Sequence, residues 1–326
     1  MKTTRLARGR AAQAALAALT SLLGASACQD PLVDPAVISG PRVIGARVHS
    51  EQDPSLAEPS PGEPASIDWL VVSDRPGPFV AAAAWCRAEP SSLGEPRCAE
   101  APSAEASAMG EYGRELSFQF RVPDGLQPGG AWLAWLGVCE RGTPAFDPAS
   151  SAFACPDGAA LGAFYRGFAP EQAQNHNPSL ADDTIALDGA PWTASEPLDA
   201  PARIPGEPCR GSTLPSLLVG GSARISFELS GDDREALPVL PDEYAAHARE
   251  SLVYTHVASH AGLERAFSAI DHDAEAQSFE VAFDTTLAQP GPAGETLVLH
   301  LLVRDERGGV DWTRREACLL PPGSTL

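Results

Sequence analysis

Lysine is almost missing from this chain. Lys2 is the only one, so beyond the first residues every permanently positive side chain is an arginine. Acids dominate, with 43 Asp and Glu against 23 Lys and Arg and a formal net charge of −20. Four of the bases, Lys2, Arg5, Arg8 and Arg10, precede the first acid, leaving 19 bases to face all 43 acids in the remainder, a balance of −24. Such a surface is repelled by phosphate backbones and by anionic lipid headgroups, which excludes nucleic acid as a partner and requires any membrane attachment to be covalent. Several catalytic signatures are also missing: there is no H-E-x-x-H, P-loop, dinucleotide glycine fingerprint or EF-hand loop. Gly220-Gly221-Ser222-Ala223-Arg224 lacks the final glycine of a nucleophile elbow and reads as a turn before a strand.

What is present begins with an address. After the basic start, Ala11 to Leu23 is apolar apart from Gln13, Thr20 and Ser21, which is shorter than the ~20 residues of a bilayer-spanning helix. Small residues follow, Gly24-Ala25-Ser26-Ala27, leading into Cys28. The segment resembles the lipobox of bacterial lipoproteins, with Ala25 where that family usually carries Leu and with Leu22 and Leu23 just upstream. The resemblance implies that residues 1–27 are a lipoprotein signal peptide and that Cys28 carries the lipid. The alternative is a conventional signal peptide cut at Ala25-x-Ala27, leaving Cys28 an ordinary thiol. Gln29 after the cysteine is compatible with transfer to the outer membrane, so the expected location is the cell envelope, outer membrane rather than inner.

The cysteine count supports lipidation. Seven cysteines leave one over in an exported chain, and setting Cys28 aside leaves six. Fifteen pairings of six cysteines exist. Their grouping along the chain favours Cys86 with Cys98, Cys139 with Cys155 and Cys209 with Cys318, as an oxidising compartment permits. No two are spaced as C-x2-C, which argues against zinc.

The remaining sequence is rich in turn formers, with 31 Pro and 29 Gly, and predicts many short strands rather than long helices. Residues 28–41 read as a tether. Strands are expected over 42–48, 65–72, 79–86, 115–122 and 131–139; the fourth alternates Leu116, Phe118, Phe120 and Val122 with polar residues, and the last is apolar on both faces. Segments 89–110 and 140–158 read as loops, each pinned by a local disulfide. A polar boundary falls near Gln174-Asn175-His176-Asn177-Pro178, dividing a first β-sandwich domain (42–174) from a second (175–326). Further strands are expected over 184–187, 223–229, 251–258, 278–283, 296–303 and 310–319, with a short helix over 241–250. The fold class is therefore all-β, two tandem sandwiches after a signal peptide and short tether.

The last hairpin, Leu301 to Trp312 with Arg307-Gly308-Gly309 at its turn, resembles the bacterial immunoglobulin-like domains of largely uncharacterised cell-surface lipoproteins. Pro61-Gly62-Glu63-Pro64 before the strand of 65–72 gives the first half a fainter likeness. The resemblance implies adhesion, spacing or display. Cys209 and Cys318 are placed unlike an antibody-type bridge, since one precedes the second strand and the other ends the last.

For chemistry, the metal-like candidates are His256, His260 and His272, with Asp271 and Asp273 beside the last. On a strand the first two would lie ~13 Å apart, too far to share an ion unless the backbone bends. Asp232-Asp233 and Asp271-His272-Asp273 could offer oxygens to calcium, although turn carboxylates are more often solvated. No cofactor is implied. Of the tryptophans at 69, 85, 132, 135, 192 and 312, the first four suit core packing; Trp192 or Trp312, if exposed, would suit a carbohydrate-binding module. The leading expectation is a non-enzymatic, lipid-anchored envelope protein for display, adhesion or binding, with other envelope proteins or glycans as partners. The competing expectation is an envelope hydrolase or metal-dependent enzyme whose site is assembled from scattered residues, recognisable by a pocket that gathers the three histidines with acids.

Overall fold

The alternating runs become strands paired in two face-to-face layers, twice over. A computed structural model describes residues 34–89, 96–102, 104–170, 174–180, 184–193, 203–228, 234–235, 249–271, 274 and 278–324. The expected helix lies outside them except for its last two residues, as do Cys28, Asp232, Asp233, His272 and Asp273.

The first sandwich contains β1 (Arg42–Ser50), β2 (Pro64–Val72), β3 (Pro78–Arg87), β4 (Ala104–Glu111), β5 (Glu115–Arg121), β6 (Ala131–Cys139) and β10 (Leu161–Phe168). One sheet runs β1-β2-β5 and the other β10-β6-β3-β4, antiparallel throughout. Period-two alternation fills the space between them. Leu116, Phe118 and Phe120 of β5 meet Ile67, Trp69 and Val71 of β2, and Trp85 and Trp132 of the facing sheet. Between β6 and β10 the short strands β7 (Ala145–Asp147), β8 (Ala152–Cys155) and β9 (Gly158–Ala159) form a flap. Its Phe146 and Phe153 cover Ala82, Ala84 and Trp135 on the outer face of the sheet.

The second sandwich contains β11 (Ile185–Leu187), β12 (Ala190–Pro191), β13 (Ser216–Leu218), β14 (Ser222–Glu228), β15 (Leu252–Ala258), β16 (Phe267–Ile270), β17 (Ser278–Asp284), β18 (Glu295–Asp305) and β19 (Val310–Leu320). Its sheets run β12-β11-β14-β17 and β13-β19-β18-β15-β16, with β13 parallel to β19. Counting only the seven principal strands of each sandwich, both have the order 1-2-5 facing 7-6-3-4. That is an immunoglobulin-type Greek key with the fourth strand beside the third.

Two expected loops contain strands. β4 takes up the end of 89–110 and runs one residue past it, hidden in the sequence because AEASAMGE is an edge strand of small residues with Met109 exposed. β7 and β8 lie inside 140–158, where three- and four-residue strands are too short to show a period.

The sandwiches do not stand apart. Residues Pro35–Leu326 form one compact unit, because the β1-β2-β5 sheet and the β18-β19 sheet press their outer faces together. Leu70, Val72 and Ile38 pack there against Val257, Leu302, Val310 and Trp312. The end of the expected tether belongs to this packing. Ala36 and Ile38 are buried, and Val37 pairs with Ala258 at the end of β15. The segment at the expected boundary staples the two sandwiches. Asn177 donates to the Val48 carbonyl at 2.9 Å and accepts from the Val310 N–H at 2.9 Å, so one side chain spans both sandwiches. Asn175, fully buried, donates to Asp305 at 3.0 Å while its backbone carbonyl accepts from the Ala57 N–H at 2.8 Å.

The cysteines pair as Cys86–Cys98, Cys139–Cys155 and Cys209–Cys318. The first ties β3 to the segment after it, the second holds the flap against β6, and the third fastens the 203–214 segment to the end of β19.

Two measurements test this architecture. A Cβ on Gly45 would come within 2.9 Å of the Trp312 ring and 3.0 Å of Leu302. Gly45→Val should therefore wedge the seam and lower urea-unfolding stability by about 1–3 kcal/mol, whereas Gly162→Val, with open space around it, should change it by about 0.5 kcal/mol or less. Replacing Cys209 and Cys318 together with serine opens a separation of 109 residues, against 12 and 16 for the other bridges. Its cost should be the largest of the three, about 4–5 kcal/mol against about 3 kcal/mol. Equal losses for all three bridges would count against loop closure as the dominant effect.

Candidate functional site

Strand alternation sends Val298, His300, Leu302 and Arg304 of β18 to the seam face while Leu297, Leu299, Leu301 and Val303 enter the second core. On the neighbouring strand β19, Arg314 lies directly across from His300 and Trp312 across from Leu302. The seam therefore has a sequence of environments along its length.

At its centre Arg47 stacks over the Trp312 ring, 4.3 Å from the centroid. The same guanidinium donates to Glu115 at 3.2 Å, reaches Asp68 at 3.5 Å and pairs with Asp311. Trp312 Nε1 donates to Glu115 at 2.7 Å. Burial pushes Asp68 up, but the hydrogen bonds from His49 and Ser117, together with the Arg47 charge, outweigh it and hold the carboxyl below its usual range. The His49 imidazole is raised chiefly by its 2.8 Å hydrogen bond to Asp68. A desolvated arginine shared among carboxylates from both sandwiches is costly to break from one side, because the remaining charges stay buried.

At one end, Arg307 pairs with Glu235 and Glu250. Asp305 accepts from Asn175 and from the N–H groups of Arg307 and Gly309 at 2.9 and 2.7 Å. Burial raises the carboxyls of Glu58 and Asp305, and pushes Glu250 to about 7. Tyr165 of the first sandwich donates to the Gly308 carbonyl at 3.1 Å. Raised carboxyls can mark an active site, yet Asp305 and Glu250 here are engaged by backbone amides and by Arg307, which makes this end a latch between the halves.

At the other end is a cleft of about 240 Å³ lined from both sandwiches. His300 and Arg314 lie in it with Arg75, Arg114 and Arg203. His300 is 3% exposed, and its Nδ1 has no hydrogen-bond partner among the described residues. Burial, then the charges of Arg314 and Arg42, push the imidazole down to about 3. In an acidic chain, this gathering of arginine around a neutral histidine gives a recess whose lining suits an anion. The 203–214 segment supplies its Arg203 wall. That segment is held by Cys209–Cys318, by the Gly206 N–H on the Thr296 carbonyl at 3.0 Å and by the Thr296 N–H on the Glu207 carbonyl at 2.8 Å.

The sequence candidates lie elsewhere. His256 is buried in the second core between Phe227 and Phe279, with Nε2 3.2 Å from Ser268 Oγ. Burial, with Arg265 nearby, pushes it down to about 4. His260, beyond the end of β15, contacts Ser259 at 2.8 Å and Glu295 at 3.4 Å. The two do not share neighbours, and His272 is outside the described residues. Among the described residues no three His, Cys, Asp or Glu side chains are grouped to hold a metal. Trp192 is buried and donates to the Glu316 carbonyl at 3.0 Å, and Trp312 is covered by Arg47. Neither presents the open flat face on which the carbohydrate-binding expectation depends. Sequence reasoning missed His300 and Arg314, although a signal existed: His300 interrupts the apolar run 297–303 at an even-numbered position shared with the seam residue Leu302, and Arg314 shares the parity of Trp312 on its own strand.

No protein-family model and no curated protein matches the sequence. Among solved structures, similarity is found to red sea bream transglutaminase (TM-score 0.23, 9% identity), covering 85% of this chain and 31% of that one. Dimeric latent PorU from Porphyromonas gingivalis (TM-score 0.18, 9% identity) is covered over 24% of its length by 88% of this chain. The chain thus spans less than a third of either protein, and neither likeness bears on function.

The buried titratable groups make stability depend on pH with opposite signs. Above about 6.5 both histidines are neutral in folded and unfolded chains. Below it, only the unfolded chain takes up protons until the folded values of about 4 for His256 and 3 for His300 are reached, so stability falls as pH falls. Glu250 runs the other way. Between its ordinary 4.5 and about 7 only the folded chain holds the proton, so its contribution is full below 4.5 and is lost as pH rises through 7. In denaturant titrations across this range, His256→Phe should flatten the acid-side decline and Glu250→Gln should remove part of the decline towards neutrality. Unchanged slopes in both variants would show that these groups are not buried as described.

Proposed function

We propose that this chain is an exported, lipid-anchored cell-envelope protein that acts by binding, holding two coupled β-sandwiches outside the cytoplasm. The observation that carries the reading is the cysteine pairing. All six cysteines after Cys28 are taken up in three disulfides, which supports an oxidising compartment and leaves Cys28 as the odd residue available for lipid. The basic start, the short apolar run and the small residues before Cys28 support the same route. The immunoglobulin-type strand order agrees with the likeness to surface lipoprotein domains, a class used for adhesion, spacing or display. The balance of −24 beyond the leader supports attachment through acyl chains rather than surface charge. Transfer to the outer membrane is the location that Gln29 favours.

The test is acylation. In cells fed labelled palmitate, the wild-type chain should carry label and partition into detergent, and Cys28→Ser should lose both. Intact mass of the processed chain should show acyl groups on Cys28 and no free thiol. A processed chain with an unmodified Cys28, or with Cys28 in a disulfide, would overturn the reading.

A further inference from the structure

The basic cleft is built, and its floor lacks a partner. His300 and Arg314 face each other across β18 and β19. Above them stand Arg114, from the β4–β5 turn of the first sandwich, and Arg203 of the second, with exposed Arg75 at the mouth. Two carboxylates temper this charge. Glu111 pairs with Arg114 at 3.2 Å, and buried Glu316 pairs with Arg314 at 2.7 Å and Arg203 at 3.7 Å. Arg42 of β1 adds its charge to those acting on His300, and Ser73 and Tyr112 complete the polar lining. Positive charge is in excess; His300 is part of the cavity lining, and its buried Nδ1 has no partner among the described residues. Buried polar atoms in folded proteins are met by a protein group, water or ligand. Beside this polar floor, Ile38, Val72 and Val298 give the cleft an apolar flank.

We propose that this cleft binds a small organic oxyanion, its carboxylate or phosphate group held by Arg314, Arg203 and His300 and its short apolar part laid against Ile38, Val72 and Val298. The guanidinium fork matches both head groups in geometry, and His300 contributes a directional contact from Nδ1. A volume of about 240 Å³ admits a head group with a few carbons and is below the range of larger ligands. The inference deepens the binding part of the function proposed above and is independent of the anchoring part, because acylation of Cys28 and occupancy of the cleft are read in separate assays.

The experiment titrates the full chain with hexanoate, butyl phosphate and hexanol at constant ionic strength, following the His300 ring proton by NMR with His300→Gln as the assignment control. At neutral pH, where both head groups are ionised, one or both anions should produce a saturable shift of that proton; hexanol should not. The two anion arms identify the head group. The Arg75→Ser, Arg203→Ser double variant removes charges that are exposed or half-buried, and should weaken anion binding at least about tenfold without changing the fold. Absence of saturation with both anions, equal binding of hexanol, or undiminished binding by the folded double variant would each overturn the site.

Discussion

The architecture depends on one constraint: the two middle sheets are apolar on both faces. In β2 the odd positions Ile67, Trp69 and Val71 enter the first core, while Leu70 and Val72 on the opposite face are equally buried. β18 divides its residues in the same way between the second core and the seam. A sandwich of this kind cannot leave its outer face in water, because every Leu or Val so exposed forgoes about 1.5–3 kcal/mol. The sheets must therefore cover one another. That stacking draws three separate pieces into one seam: the segment before β1, the 174–180 staple and the β18–β19 hairpin. The first of these enters through Ala36 and Ile38, both buried, with the backbone of Val37 paired to Ala258. Stacking also turns what would be a surface arginine, Arg47, into a desolvated charge shared by acids of both halves.

Charge then sorts along the seam according to what each strand end can reach. The central carboxylates Asp68, Glu115 and Asp311 are matched by Arg47, and the latch at the Arg307 end is matched by amides and one guanidinium. At the other end arginines outnumber acids, so the chain's overall negative sign is reversed in one recess. Charge matched at the centre of the seam and of opposite excess at its two ends also specifies how the sheets align, since sliding one sheet along the other would bury unmatched charge.

Much of this is legible in the sequence. The eleven strands expected from apolar alternation are all strands, because each runs seven or more residues and buries side chains on at least one face, apart from the three-residue β11. The cysteine grouping likewise points to the pairing observed. What is not legible shares a physical reason. β4 is made of small residues, β7 and β8 are too short to establish a period, and the polar 174–180 segment shows no pattern because Asn175 and Asn177 find their partners in groups remote in sequence. The histidines at 256 and 260 draw notice by their spacing, whereas His300 has no conspicuous neighbour in sequence; it gains its surroundings only when β19 places Arg314 beside it.

The seam and the cleft are thermodynamically one object. The cleft walls come from the β4–β5 turn of one sandwich and from β18, β19 and the 203–214 segment of the other, so it exists only while the sheets are docked. A ligand that binds the docked form alone stabilises that form by mass action, and whatever loosens the seam weakens the ligand by the same free energy. The Cys209–Cys318 bridge acts on the same equilibrium from the far side, since it limits the freedom of the segment that carries Arg203. The geometry of such a site is set by how the two sheets dock, and its affinity is tuned by residues such as Gly45 and Trp312 that lie at the seam and outside the cleft lining.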